Sequence, residues 1–284
     1  MERIESAAEL RALIAEWREA GDTIGLVPTM GNLHKGHMSL VELAAEQVEH
    51  VIVSVFVNPT QFGPNEDYAE YPRTLDMDAR RLARAGVDVL FCPSVENIYQ
   101  HGVDDATVVL VPGLSEQLCG QHRPGHFQGV TSVVCRLLNI CSPDLAVFGQ
   151  KDYQQFVILQ RMVADLHLPV RLIAGPTERE SSGLAKSSRN SNLDEGQAET
   201  AAAIFKSLQN VNAKLAAGER DFAALEQAAM SEITQAGLKP EYVAIRHAAD
   251  LSIPAADSLQ LVVLAAATLG QVRLIDNLTI RLMP

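Results

Sequence analysis

Two histidines, His34 and His37, lie three residues apart in "VPTMGNLHKGHMSLVELA", between a run that reads as a strand and a run that reads as a helix. A helix start presents backbone N–H groups and a positive dipole end to a phosphate. At that spacing both imidazoles fall on one helical face. From there each donates a hydrogen bond to phosphate oxygens, and an imidazolium meets the charge that develops on a departing pyrophosphate. Gly31 permits a tight turn, and Gly36 removes a side chain where a flat purine would lie. Met30, Gly31, Asn32, Leu33, His34, Lys35, Gly36 and His37 therefore form the first candidate set. The same pair of histidines is also half of a zinc site, or two ordinary surface residues. Against zinc, the chain has no HExxH element and no nearby cysteine pair.

Further motifs carry polar groups at places where strands end. "KSSRNS" (Lys186 to Ser191) sets two cations among hydroxyls, with no acid between Ser181 and Asn192. Lysine supplies a point charge and arginine a planar fork, both suited to phosphate. "FGQKDYQQF" (Phe148 to Phe156) places Gly149, Gln150, Lys151 and Asp152 between a strand and a helix, with Gln154 and Gln155 on the first helical turn. Glutamine reads hydroxyls and carboxylates because it both donates and accepts. In "FVNPTQF" (Phe56 to Phe62) a strand exits into Asn-Pro, and Gln61 follows between Thr60 and Phe62. "YPRTLDMD" and "CGQHRPGHFQG" are further polar loops, and Arg123 and His126 are expected to add positive charge near a triphosphate. Each motif also has a plain reading: a solvated linker, a helix capped by Asp152 with exposed glutamines, a turn. Together they point to a nucleotide site.

The elements that must hold these residues follow from the hydrophobic pattern. Strands are expected at 23–29, 50–57, 87–93, 144–149 and 169–175; the run "HVIVSVFV", apolar nearly throughout, suits a strand buried on both faces of a parallel sheet. Between them lie helical patterns, including an apolar stripe after His37, "DMDARRLARAG" with its acidic start and glycine stop, and the almost wholly apolar Val130–Cys141. The N-terminal twenty residues read as one charged amphipathic helix. Such alternation predicts a Rossmann-like, doubly wound α/β sheet over residues 1–176. Beyond a polar, Ser-rich segment, a long Ala-rich helix (195–217), a second helix (222–236) and three strand-like runs predict a smaller C-terminal α+β domain over 177–284.

The whole chain, 284 residues with 47% hydrophobic and 20% charged, has the material for a sizeable core. The formal net charge of −12 argues against a general nucleic-acid or membrane-surface binder. There is no apolar run long enough for a membrane span, and the N-terminus lacks the pattern of a signal peptide. Four cysteines without a CxxC pair read as reduced thiols, which points to a cytoplasmic enzyme.

"PTMGNLHKGHMSLV", "VSVFVNPTQF", "YPRT", "RPGHFQGV", "FGQKDYQQ" and "GLAKSSRN", in this order and spacing, closely resemble the pantoate–β-alanine ligase (pantothenate synthetase) family over about residues 27–280. The HxGH element alone is shared more widely among nucleotidyltransferases. The resemblance implies a Rossmann-like domain with a smaller lid-like domain, and a homodimer. It implies an enzyme that joins (R)-pantoate to β-alanine with ATP and Mg²⁺, through a pantoyl adenylate, giving AMP and pyrophosphate. Carried over by motif, Met30 to His37 line the ATP site, His37 is the proton donor and His34 contacts phosphate. Gln61 and Gln155 hold pantoate. Gly149 to Asp152 form an ATP-binding loop with Lys151 on the phosphates, and Lys186, Ser187, Ser188 and Arg189 form the second phosphate loop; Glu178 is counted with the ATP-binding residues, and Lys151 and Arg189 with the catalytic ones. Metal ligands are not assigned.

Two departures stand out. Ser182 replaces the family's usual aspartate, and Lys186 replaces an apolar residue before Ser-Ser-Arg-Asn; the usual Tyr-Leu after that motif is Asn192-Leu193 here, with Ser191 between. The competing readings are another HxGH nucleotidyltransferase acting on a small phosphorylated substrate, and a nucleotide-sensing binding protein. Paired Gln61 and Gln155, in place of an arginine cluster, favour a substrate with hydroxyls and one carboxylate.

Overall fold

The computed structural model describes residues 1–64 and 66–283. The elements run in the order β1 (Glu2–Ile4), α1 (Ala7–Ala20), β2 (Ile24–Thr29), α2 (Lys35–Ala45), β3 (His50–Val55), α3 (Leu75–Arg84), β4 (Val89–Phe91), the short α4 (Val95–Ile98) and α5 (Cys119–His122), α6 (His126–Cys141), β5 (Leu145–Gly149), α7 (Tyr153–Asp165), β6 (Arg171–Gly175), α8 (Glu195–Ala201), α9 (Ala203–Ala216), α10 (Phe222–Gln235), β7 (Lys239–His247), β8 (Gln260–Leu269) and β9 (Val272–Arg281). The chain divides into two compact units, Met1–Gln150 with Ile158–Pro176, and Lys151–Val157 with Thr177–Pro284.

In the first unit six parallel strands are ordered β1-β4-β3-β2-β5-β6. From β2 the chain winds outward through β3 and β4, then returns to place β5 on the other flank. The crevice at the carboxyl ends of β2 and β5 is therefore the topological switch point, where ligands bind in open α/β sheets. β2 and β3 are buried over their centres, as their near-continuous apolar runs require. Val27, Val53, Leu90, Leu145 and Val147 pack with Leu40, Val41 and Ala44 of α2 and Leu82 of α3. α6 is buried almost throughout, in keeping with its all-round apolar surface.

Two local readings change. Residues 2–4 form an edge strand on β4 ahead of the N-terminal helix; three residues give no periodicity to see, and tertiary pairing decides. That helix itself starts where Ser6 accepts hydrogen bonds from Ala8 and Glu9 N–H and stops at Gly21, φ 86°. The Ala-rich stretch is two helices, broken at Ala202, whose N–H bonds the carbonyl of Glu199 three residues back.

The second unit is an antiparallel sheet, β7-β8-β9. Leu261, Val263, Ala265 and Ala267 of β8, alternate residues on one face, pack with Ile204, Leu208, Val211 and Leu215 of α9 and Leu225, Ala229 and Ile233 of α10.

Candidate functional site

The HxGH turn follows β2 at the switch point. His34 is the N-cap of α2, and its Nδ1 accepts from the Gly36 N–H at 3.1 Å. His37 reaches back, and its Nδ1 accepts from the His34 N–H at 3.2 Å. The two rings lie 4.1 Å apart, tilted by 42°. The imidazoles thus form a reciprocal cap of the kind Ser and Glu usually make. Within the turn itself, the imidazoles take the Gly36 and His34 N–H groups. The same bonds fix the tautomer. A neutral imidazole that accepts at Nδ1 carries its proton on Nε2, so both rings are Nε2–H donors.

The turn before the helix is left-handed at two successive residues, Gly31 (φ 83°) and Asn32 (φ 51°). In this turn the consecutive N–H groups of Asn32 and Leu33 aim at one point. Here that point is Asp78 of α3, whose Oδ2 and Oδ1 accept from Asn32 and Leu33 N–H, each at 2.9 Å.

Gln61 closes a single 3-10 turn (Pro59–Gln61) after β3. Its Nε2 lies 3.1 Å from the Met30 sulfur, and its Oε1 accepts from Asn58 Nδ2 at 3.1 Å. Asn58 is buried and accepts from the Tyr99 hydroxyl at 2.7 Å, while its amide also donates to the Gly129 carbonyl. Burial raises the pKa of Tyr99, which keeps it a donor. Gly129 on α6 touches the 60–61 backbone where no Cβ fits.

Arg123 and His126 are engaged with neighbours of their own unit. Arg123 pairs with Glu66, Nε to Oε1 at 2.7 Å and Nη2 to Oε2 at 2.5 Å, so its charge is matched within this unit. Burial disfavours the Glu66 carboxylate, but the guanidinium outweighs it and the pKa is lowered. His126 Nδ1 lies 2.8 Å from the Gln61 carbonyl and its Nε2 3.0 Å from Arg123 Nη1, which makes Nδ1–H the donor to Gln61. The group steadies Gln61.

Gly149 ends β5 beside β2, with Gln150 next. Lys151, Asp152, Gln155, Glu178 and Lys186 to Arg189 all belong to the second unit. There Lys151 Nζ is 3.9 Å from Asp152 Oδ2, and the Lys151 carbonyl accepts from Asn277 Nδ2 at 2.8 Å. Gln154 is buried, unlike the exposed glutamine of the plain reading.

Residues 179–185 form a hairpin. Arg179 bridges to Ala185, binds Asp276 with both nitrogens at 2.7 and 2.9 Å and lies 3.5 Å over the Phe205 ring. Lys186 N–H donates to the Glu178 carbonyl, and its ammonium stands 2.6 Å from Glu180 Oε2. The unusual lysine is therefore an ion-pair partner. Ser187 caps the following 3-10 turn by accepting from Arg189 N–H, and Asn190 Nδ2 donates to the Ala185 carbonyl.

Among the described residues, no group of three or more His, Cys, Asp or Glu side chains is arranged to hold a metal ion, and no helix is long and apolar enough to cross a membrane. The buried carboxylate at this turn, Asp78, already accepts from two backbone N–H groups and the Thr74 hydroxyl, so the donor set here does not fit a resident Mg²⁺.

Sequence motifs missed Asp78, Asn58, Gly129 and Glu66 as supports. Asp78 and Asn58 stand in quoted motifs, but the partners that make them supports, Asn32, Leu33, Tyr99 and Gly129, lie 41 to 71 residues away.

Comparison with known proteins gives a consistent result. A family profile described as "Pantoate-beta-alanine ligase" matches residues 2–279. A pantothenate synthetase of Methylococcus capsulatus is 51% identical over 282 residues, covering 99% of each chain. One from Pseudomonas aeruginosa is 50% identical, over 99% of this chain and 100% of that one. The crystal structure of pantothenate synthetase from Thermus thermophilus superposes with a TM-score of 0.91 at 42% identity, covering 98% of this chain and 99% of that chain. The Francisella tularensis pantoate-beta-alanine ligase, complexed with beta-gamma ATP and beta-alanine, superposes at 0.82 with 35% identity, over 98% and 97% of the two chains.

Proposed function

The chain belongs to the pantoate–β-alanine ligase family, and from that premise we propose that it condenses (R)-pantoate with β-alanine at the expense of ATP, giving pantothenate, AMP and diphosphate. A pantoate carboxylate oxygen attacks the α-phosphorus and diphosphate leaves. The amine of β-alanine then attacks the adenylate carbonyl, loses a proton, and the C–O bond breaks to release AMP. The observation that carries the reading is the reciprocal His34–His37 cap at the switch point, with Gln61 held against Met30.

The chemistry needs positioning and charge balance more than covalent help. His34 and His37, as Nε2–H donors, bond the phosphate oxygens, and His37 meets the charge that leaves with diphosphate. Gln61 and Gln155 hold the hydroxyls and carboxylate of pantoate. Lys151, Arg189 and the Ser187–Ser188 hydroxyls match the phosphates, with Gly149 to Asp152 and Glu178 completing the nucleotide contacts. Mg²⁺ would be brought in with ATP rather than held by a resident site, and would supply charge neutralisation on the phosphates. A homodimer, as the resemblance implies, and a cytoplasmic location complete the proposal; the net charge of −12 agrees with small-molecule substrates and no nucleic acid.

A coupled assay of AMP release tests this, omitting ATP, pantoate and β-alanine in turn. AMP is expected only with ATP, pantoate and β-alanine all present, whereas ATP and pantoate alone give one equivalent of diphosphate. Release independent of pantoate would replace this reading with another HxGH nucleotidyltransferase.

A further inference from the structure

We propose that Asp78 is a positioning residue for adenylation, resting on the ATP-site reading above: its carboxylate holds the Gly31–Asn32 turn and through it sets His34 and His37. Asp78 is wholly buried beneath the turn assigned to ATP. Its oxygens receive three hydrogen bonds at 2.9 Å, from the N–H groups of Asn32 and Leu33 and from the Thr74 hydroxyl. One helical turn on, Arg81 donates to the Leu33 carbonyl and stands 4.0 Å from Asp78 Oδ1. Helix α3 thus grips both the N–H and the carbonyl of Leu33, the residue that leads into His34.

The grip answers a physical need. A non-glycine residue in the left-handed region carries a conformational cost, small for asparagine, that its surroundings offset. Consecutive backbone N–H groups of a turn can converge on an anion, and here the Asn32 and Leu33 N–H groups converge on the protein's own carboxylate. Without that anion, the two N–H groups lose charge-assisted partners and the turn relaxes. Leu33 follows the turn and His34 comes next. Since His37 caps the His34 N–H, a shift of one ring moves the other.

The test uses the full chain and Asp78→Asn, which keeps the shape but turns an amide N–H toward a backbone N–H. The adenylation rate constant is measured in single turnover with enzyme in excess, so it does not depend on the folded fraction. It is expected to fall by about 10- to 100-fold, with the KM for β-alanine within about 2-fold. Imidazole ¹⁵N spectra are expected to show His34 and His37 as fixed Nε2–H tautomers in the wild type and as averaged rings in the variant. If Asp78→Asn does not fold, Thr74→Val, which removes one bond to Oδ2, decides; a fall of about 2- to 10-fold with the same ring signature is expected. A wild-type rate constant and unchanged ring spectra in the folded variant would overturn the proposal. A wild type without pantoate-dependent adenylation would instead overturn the function on which it rests.

Discussion

Replacing Gly129 by alanine gives the candidate pantoate contact a graded displacement. A Cβ at this position stands 2.6 Å from Gln61 N and overlaps the Thr60 carbonyl. An ordinary van der Waals contact needs about 3.5 Å, so α6 or the 60–61 backbone must move by about 1 Å. Thr60 cannot yield alone, because Asn58, Tyr99 and the Gly129 carbonyl tie the turn together. Overpacking of this kind costs about 1–3 kcal/mol of stability, a fall in Tm of roughly 2–10 °C. A displacement of about 1 Å at a positioned group costs on the order of 10²-fold in rate. Initial rates with pantoate and ATP varied separately are expected to show pantoate kcat/KM down by about 10- to 100-fold and the KM for ATP changed by less than about 3-fold. A folded Gly129→Ala enzyme with wild-type pantoate kinetics would refute the role given to Gln61.

Three further outcomes are expected. His37→Ala lowers the adenylation rate by about 10² or more, and a normal pre-steady-state burst of diphosphate would contradict it. Lys186→Met leaves the KM for ATP within about 2-fold, because the ammonium pairs with Glu180; a larger loss in steady-state kinetics would place that charge on the nucleotide instead. The Glu66 carboxylate has a pKa below its ordinary value, set by Arg123 against the opposing effect of burial. A lowered folded-state pKa gives stability that is present above about pH 4–5 and lost as pH falls through the folded value. Glu66→Gln is therefore expected to be less stable than wild type at pH 7, with the difference shrinking in acid; urea titrations that show a pH-independent difference would contradict this.

Much of the fold was legible because period and punctuation agree. The strands of the parallel sheet announce themselves as buried apolar runs, and the order strand, glycine-bearing turn, apolar stripe located the HxGH helix. β1 was not legible, since three residues carry no pattern and its pairing with β4 spans 87 residues from Glu2 to Val89. The site splits the same way. His34, His37, Gln61, Lys151 and Arg189 could be named from residue type and motif spacing. What each does with its neighbours could not: the reciprocal cap of the two imidazoles, the carboxylate inside the Gly31–Asn32 turn, and the pairing of Arg123 with Glu66 all depend on side-chain geometry. Arg123 shows the limit plainly. As a letter it is a cation beside glycines and histidines, and only its bonds to Glu66 assign its charge.

The central claim, activation of pantoate by adenylation, is tested most directly by following oxygen. Pantoate labelled with ¹⁸O in its carboxylate is turned over with ATP and β-alanine, and the AMP and diphosphate are examined by mass spectrometry. Attack of the carboxylate on the α-phosphorus leaves one labelled oxygen in each AMP and none in diphosphate. Unlabelled AMP formed alongside pantothenate would contradict it.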